Sequence, residues 1–388
     1  MIWFWILWYV LISENHACHI VTSVDEQILW LDPMAREIYH QTAPEDLYFF
    51  GEHEGVLYAI TNDLMVFDNH IYAVTPDEIE QITTILNRNA ALSPDGRQFA
   101  YVGFPGFDTP FNIETFVQYS FDASNNPEAY DLSLLNVQIR VFDLEDRASQ
   151  VYAEILVMQD ALIDGELLPR MILPTSINWT TDGIVAAVQN ESGSINELRL
   201  YTQTDQRIIA PLPHPTFRNT PFSFLAVSPT QIAVTLDEYS ETDSPSASNA
   251  QATLEGQNAI VGDNVLNLLN IGTPAIYLID IETGEISRLD NGYYPKWSPD
   301  GTQLAYIASN QMQIYTIETG ETQTYPIEPW GQYAWSPDGT QIAYLAYDKS
   351  ILGADTIGIL NVADGNIQTY PLSSEIITPN ANVIWTCR

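Results

Sequence analysis

Short stretches in which apolar and polar residues alternate recur along the whole chain. Each stretch ends in a turn rich in Asp, Glu or Gly, and another short strand such as TQTYPI follows it. The clearest are QIRVFDLEDR from Gln138, ELRLYTQTDQR from Glu197, AIYLIDIETGE from Ala275, QIYTIETGE from Gln313 and IGILNVADGN from Ile357. This alternation predicts an all-β protein with strands of roughly 4 to 8 residues.

A second pattern repeats at a period of about 40 residues. The stretches YYPKWSPDGTQLAYIAS and GQYAWSPDGTQIAYLAYD place Trp297 and Trp335 38 positions apart. ALSPDGRQFAYVG from Ala91 is a third copy, INWTTDGIVAAVQ from Ile177 a degenerate fourth, and FLAVSPTQIAVTL from Phe224 a fifth. Together with the alternating stretches, these copies predict units of four strands each.

The S-P-D-G tetrapeptide has a conformational explanation. Proline fixes φ at the second turn position and glycine takes the left-handed conformation, so the sequence closes a tight hairpin between two strands. Ser298 and Ser336 are therefore interpreted as turn residues and not as nucleophiles. Trp297 and Trp335 are expected to pack between sheets, as aromatic side chains commonly do.

A four-stranded sheet cannot bury both of its faces alone, so successive sheets are expected to pack around an axis. The motifs resemble the TolB-type, WD-repeat-like propeller repeats of bacterial exported proteins. This resemblance is strong over residues 293–372, extends to 89–104 and 174–238, and is weak before residue 88. It implies a β-propeller in which W-S-P-D-G-x-x-[IL]-A-[YF] marks the first two strands of a blade.

The ends of the chain complete the blade count. Residues 46–87 contain four strand-like stretches and form one blade without S-P-D-G. ACHIVTS, EQILWLD and EIYHQT near the N-terminus supply three strands, and NVIWTCR at the C-terminus supplies a first strand. Joining these fragments predicts a single propeller of seven four-stranded blades, with six or eight as alternatives. The C-terminal strand would pair with the N-terminal strands and close the ring.

Cys18 and Cys387 would then be neighbours, and we predict a disulfide between them. A lipid anchor on Cys18 and two free thiols are the alternatives. The apolar run IWFWILWYVLI is too short for the roughly 20 residues that span a bilayer and suits an export signal. We therefore expect an export signal or N-terminal apolar segment at 1–16, no transmembrane span in the mature chain, and a monomeric propeller at 17–388 in the periplasm or outside the cell.

Charge narrows the possible partners. Thirteen basic and 50 acidic residues give a net charge of −37. A field of this sign repels phosphate backbones, so a nucleic-acid partner is disfavoured. No G-x-S-x-G elbow and no H-x-H or H-x-x-x-H spacing is present, so the sequence predicts no catalytic residue, metal or cofactor.

Two long insertions, 105–136 and 239–273, separate the second and third strands of their blades and should emerge on one face of the ring. On the same face we also expect a shorter extension at 346–355 and an interblade segment at 156–173. Aromatic rings with interspersed carboxylates can hold sugars, peptides or cations, although the first insertion could use its aromatic residues to pack its own small core. The candidate ligand-binding residues are Phe107, Asp108, Phe111, Glu114, Tyr119, Tyr130, Tyr239, Tyr347 and Asp348.

The sequence thus favours an exported, non-catalytic scaffold that binds a protein or glycan partner through this face. A propeller-type polysaccharide lyase, or another glycan-processing enzyme, is one alternative, with Asp108, Glu114 and Asp348 as acid/base candidates. A structural component of a cell-envelope complex is the other, and it rests on the resemblance to TolB-type propellers.

Overall fold

The computed structural model describes residues 18–24, 26–32, 37–61, 69–85, 90–103, 137–155, 158–163, 166–190, 196–214, 225–238, 273–348, 353–376 and 382–387, together with Tyr119, Asp122 and Ala129. These residues form 29 β-strands, numbered β1 to β29 in chain order. Twenty-eight of the strands build seven antiparallel blades of four strands each, arranged in a ring, and β12 adds to one blade. The protein is therefore a seven-bladed β-propeller, as the repeats predict.

Blade 1 combines both ends of the described chain. In order from the axis outwards, it contains β29 (Val383–Cys387), β1 (Cys18–Val24), β2 (Gln27–Leu31) and β3 (Glu37–Thr42). Blade 2 contains β4 (Leu47–His53), β5 (Val56–Thr61), β6 (Asn69–Val74) and β7 (Ile79–Ile85). Blade 3 contains β8 (Ala90–Leu92), β9 (Gln98–Gly103), β10 (Val137–Asp143) and β11 (Ala148–Ile155).

The remaining blades follow the chain without interruption. Blade 4 contains β13 (Glu166–Trp179), β14 (Ile184–Asn190), β15 (Asn196–Tyr201) and β16 (Gln206–Pro211), with β12 (Met158–Ile163) as an added strand. Blade 5 contains β17 (Leu225–Val227), β18 (Gln231–Glu238), β19 (Thr273–Asp280) and β20 (Ile286–Asn291). Blade 6 contains β21 (Tyr293–Trp297), β22 (Gln303–Ala308), β23 (Gln311–Thr316) and β24 (Glu321–Tyr325). Blade 7 contains β25 (Pro329–Trp335), β26 (Gln341–Asp348), β27 (Gly353–Asn361) and β28 (Ile367–Ile376).

The predicted interblade segment at 156–173 contains strand pairing. β12 pairs with the first part of β13, from Met158 opposite Met171 to Ile163 opposite Glu166, and the rest of β13 pairs with β14. The residues between the two strands are Asp164 and Gly165, the dipeptide that favours a two-residue hairpin. A two-stranded ribbon therefore continues blade 4 beyond its first strand.

The S-P-D-G turns close the hairpins between first and second strands in blades 3, 6 and 7. In blade 6, Ser298 N–H donates to the Gln303 carbonyl oxygen and Gly301 N–H donates to Ser298 O, both at 2.8 Å. Gly301 has a φ of 69°, in the left-handed region that glycine adopts without strain. Ser298 Oγ donates to Asp300 at 2.6 Å and accepts from Gln303 N–H at 3.0 Å. The hydroxyl is thus engaged within the turn, which fits the interpretation of this serine as a turn residue.

The hydrophobic core is divided among the blade junctions. Seven clusters of buried residues lie in the described structure, and each joins one pair of neighbouring blades. One of them unites Ile20 and Trp385 of blade 1 with Ala343 and Ile357 of blade 7, so the last junction is packed like the others. Burial between sheets, at roughly 25 cal/mol per Å² of apolar surface, therefore acts around the complete ring.

Tryptophan side chains also link the innermost strands of neighbouring blades. Trp385 has on β29 the position that Trp335 has on β25. It is buried, yet its indole N–H has no acceptor among the described residues. Three others donate their indole N–H to a carbonyl oxygen of the preceding blade: Trp179 to Ala91 at 2.8 Å, Trp297 to Ala226 at 3.2 Å and Trp335 to Lys296 at 3.1 Å. The prediction that Trp297 and Trp335 pack between sheets agrees with these contacts.

Ring closure depends on β29. This strand pairs with β1, and the register places Cys18 opposite Cys387, where the two sulfur atoms form a disulfide across 369 positions of sequence. On the other side, Asn382 exchanges hydrogen bonds with the backbone of Phe49 in blade 2. The predicted composite blade and its disulfide are both confirmed.

Removal of the disulfide should destabilise the ring. In the chain-entropy description, opening a loop of nearly the whole chain reduces the free energy of unfolding by about 4 to 5 kcal/mol. We expect this loss for the Cys18→Ala/Cys387→Ala double variant in urea denaturation, and a similar loss for the reduced wild-type protein. Two titratable thiols in the unreduced, unfolded protein would contradict the assignment.

The indole bonds allow a matched comparison. Trp335→Phe removes a buried N–H···O bond, whereas Trp385→Phe removes an N–H that has no described acceptor. Because Trp335 and Trp385 are 8% and 6% exposed, the loss of ring area should be similar in both variants. We expect Trp335→Phe to cost about 1 kcal/mol more than Trp385→Phe in chemical denaturation. Equal losses would show that the indole bond adds nothing to stability.

Candidate functional site

The strand order gives the ring two different faces. Connections between second and third strands, and between one blade and the next, emerge on one face, which we call the insertion face. The turns between first and second strands and between third and fourth strands emerge on the other, which we call the turn face. Cys18 begins a second strand and Cys387 ends a first strand, so both lie at the turn face.

The two long insertions begin and end on the insertion face. The first separates Gly103 from Val137 and the second separates Glu238 from Thr273. In the strand register, Gly103 is opposite Gln138 and Glu238 is opposite Thr273. The ends of each insertion therefore lie side by side, and the strands close correctly whatever length of chain connects them.

Three of the predicted ligand-binding residues belong to the described structure. Tyr119 is half-buried, and Tyr347 and Asp348 end β26. The other six, like the apolar run at 2–12, lie outside the described residues: Phe107, Asp108, Phe111, Glu114, Tyr130 and Tyr239. Their placement on the insertion face remains a prediction.

The extension predicted at 346–355 is shorter than expected. β26 continues to Asp348 and β27 begins at Gly353, and these two residues are opposite each other in the register. The sheet pairing thus continues into this segment, and the connection between the two strands contains only residues 349–352. Tyr347 and Asp348 are consequently held on a strand.

A cleft of about 410 Å³ opens beside these two residues. Tyr347 N–H donates to the Glu328 carbonyl oxygen at 2.9 Å, which ties β26 to the connection between blades 6 and 7. The residues that line the cleft are Glu328, Ala346, Tyr347, Asp348, Asp355, Thr356 and Thr369. Carboxylates, hydroxyls and one phenol ring suit a ligand that offers hydroxyl, amide or cationic groups.

The base of the second insertion is fixed by a charged network. Glu238 accepts hydrogen bonds from Arg288 Nε at 2.6 Å and from the Tyr277 hydroxyl at 2.5 Å. The bonds from Arg288 are the largest cause that lowers the pKa of Glu238, to about 2. Burial and the bond to Glu238 raise the pKa of Tyr277 to about 12. Glu238, which precedes the predicted ligand-binding residue Tyr239, is thus held in place by these bonds.

A similar network lies on the same face at blade 2. Glu45, in the connection between blades 1 and 2, approaches His70 Nδ1 at 2.6 Å and accepts from the Tyr72 hydroxyl at 2.9 Å. Burial, followed by the bond to Glu45, raises the pKa of Tyr72. Neither network is indicated by the sequence, because the members come from strands and connections that are distant along the chain.

The described residues contain no group of three or more His, Cys, Asp or Glu side chains placed to hold a metal ion. Within the same ranges, no helix has the length and apolar character needed to cross a membrane.

No family model and no curated protein sequence matches this chain. Similar solved structures include apo AztD from Citrobacter koseri, with 8% identity over 96% of this chain and 99% of that chain and a TM-score of 0.51. A prolyl endopeptidase matches with 10% identity over 94% of this chain, 51% of that chain and a TM-score of 0.51. TolB from Acinetobacter baumannii matches with 11% identity over 97% of this chain, 84% of that chain and a TM-score of 0.42. At such identities the likeness shows the propeller fold alone.

Low pH should remove the contribution of Glu238 to the free energy of unfolding. Its folded pKa lies below the ordinary value of 4.5, so the ionised carboxylate stabilises the fold above about pH 4.5, and this contribution is lost as the pH falls towards 2. We expect Glu238→Gln to lower the free energy of unfolding by about 1 to 2 kcal/mol at pH 7, and the difference from wild type to shrink towards pH 2. Urea denaturation at several pH values measures it, with the exposed Glu282→Gln as control. Equal stability of Glu238→Gln and wild type at pH 7 would contradict the assignment.

Proposed function

We propose that the protein is an exported, non-catalytic β-propeller scaffold that binds a protein or glycan partner through its insertion face. The observation that carries this proposal is the attachment of both long insertions to one face of a closed ring. Binding residues are disproportionately found on loops that a rigid scaffold positions. The seven-bladed sheet framework supplies such a scaffold.

The chemistry of the described part of this face supports a polar partner. Glu328, Asp348 and Asp355 line one cleft with two threonines and Tyr347. Such groups accept hydrogen bonds from sugar hydroxyls, peptide amides or basic side chains. Together with the net charge of −37, they oppose a phosphate-bearing partner.

Export is supported by the disulfide between Cys18 and Cys387. Disulfides form and persist in oxidising compartments and are rare in the cytosol. The apolar run at 2–12 suits an export signal, and the combination favours a periplasmic or extracellular location. A binding role without catalysis is favoured by the turn serines, because Ser93, Ser298 and Ser336 each direct their hydroxyl to an aspartate of their own turn.

Replacement of 105–136 by a short Gly-Asn turn tests the proposal, because Gly103 and Gln138 are already opposite each other. Binding is measured on a glycan array and against a displayed peptide library, with wild type and variant side by side. We expect at least about a tenfold loss of affinity for each ligand that wild type binds. Retained binding by the folded deletion variant would overturn the role of the first insertion.

A pair of single substitutions separates the two faces. Asp348→Asn removes one negative charge on the insertion face, and Glu145→Gln removes one from the turn face. We expect the first to weaken binding about 3- to 10-fold and the second to leave it unchanged. The reverse order would place the binding surface on the turn face. A stoichiometric transition metal in the purified protein would favour the lyase alternative.

A further inference from the structure

Lys296 occupies an unusual position on the inner rim of the ring. It lies on β21, the innermost strand of blade 6, and part of its surface remains accessible. Its Nζ donates to the Tyr333 carbonyl oxygen of β25 at 2.8 Å and lies 5.7 Å from the centre of the Tyr333 ring.

The ammonium group lacks a counter-ion. It carries three N–H donors, and among the described residues it has one carbonyl acceptor, one aromatic face and no carboxylate within ion-pairing distance. Removal from water is costly for an unpaired charge, and burial lowers the pKa of Lys296 to about 8. In a chain with 50 acidic residues, a half-buried cation with no carboxylate partner among the described residues calls for a reason.

The hydrogen bond between blades 6 and 7 does not explain why residue 296 is charged. Asn178 has the corresponding position in blade 4, and its neutral amide donates to the Leu225 carbonyl oxygen of the next blade at 3.2 Å. The corresponding positions of blades 5 and 7 are Ala226 and Ala334, which have no side-chain donor. A positive charge at residue 296 is therefore unnecessary for joining adjacent blades.

The backbone beside Lys296 is also strained. Tyr294 has a φ of 57°, a left-handed conformation that costs free energy in a residue with a bulky side chain. The pairing register with β22 shifts between Tyr293 and Lys296, which marks a bulge. Bulges re-aim side chains and are over-represented beside functional sites. The Tyr333 hydroxyl holds this bulge by donating to the Tyr294 carbonyl oxygen at 2.6 Å.

We infer that Lys296 is the cationic centre of a carboxylate-binding site on the inner rim between blades 6 and 7. The two oxygen atoms of a carboxylate can accept the N–H donors that the Tyr333 carbonyl leaves unused. The buried ring of Tyr333 lies beside the cation and helps to hold it in place. The site goes beyond the proposed function, because Lys296 lies outside both long insertions and outside the cleft beside Tyr347 and Asp348. The carboxylate can belong to a free organic acid, an acidic sugar or a peptide C-terminus.

The chain contains two lysines, Lys296 and Lys349, which makes a selective measurement possible. Protein labelled with ¹³C-lysine gives one Cε–Hε signal from each, and the Lys296→Gln variant assigns them. This variant resembles the neutral donor of blade 4, so the bond to Tyr333 and the fold can be retained. Acetate is the first probe, with acetamide as the uncharged control of the same shape.

We expect acetate to shift the Lys296 signal saturably, while acetamide leaves it unchanged and the Lys349 signal stays in place. Calorimetric binding of acetate should be lost in Lys296→Gln. Comparison of acetate, galacturonate and glycylglycine at equal concentration then identifies the source of the carboxylate by the lowest dissociation constant. The inference is overturned by an unmoved Lys296 signal, by equal shifts with acetate and acetamide, or by parallel shifts of both lysines.

Lys296→Gln also separates this site from the insertion face. If both proposals hold, the variant loses acetate binding and keeps the array or peptide binding of wild type. Failure of the insertion-face experiment would leave the acetate result intact, and the converse also holds.

Discussion

The antiparallel pairing of β29 with β1 is the contact on which the ring depends. β29 is the first strand of blade 1, so without it blade 1 would lack its innermost strand and face the axis with an incomplete sheet. Two of the seven core clusters, those shared with blades 7 and 2, include residues of blade 1. The disulfide between Cys18 and Cys387 reinforces this pairing where the two ends meet. A local pairing of five residues on each strand therefore maintains burial around the whole circle.

The inner edge of each blade presents backbone groups that no further strand can pair. Unpaired strand edges are a liability in β-proteins, and the propeller satisfies several of these groups with side chains from neighbouring blades. Trp179, Trp297 and Trp335 donate backwards to the preceding blade, whereas Asn178 and Lys296 donate forwards to the next one. Neutral side chains are sufficient for these bonds between blades. The charged side chain of Lys296 is not required for them and is therefore a candidate for a separate role.

Much of the fold could be predicted because its information is local and repeated. S-P-D-G specifies its own hairpin, and the repeat period predicts units of four strands. The unmatched strands at the two ends then predict the composite blade and a count of seven. The ribbon of β12 and β13 was missed although Asp164-Gly165 signals a hairpin, because the segment fell where the repeat predicts a connection. The networks of Glu238 and Glu45, and the approach of Glu328 to Tyr347, could not be predicted. Their members meet only after the blades have assembled, and no spacing in the chain reports those meetings.

The location of Cys18 and Cys387 at the turn face has a consequence for orientation. The described chain begins at Cys18 on the side of the ring opposite the bases of the two long insertions. A partner that contacts the turn face would therefore meet the closure of the ring, whereas a partner on the insertion face would meet the bases of both long insertions. The two faces can thus be occupied independently of each other.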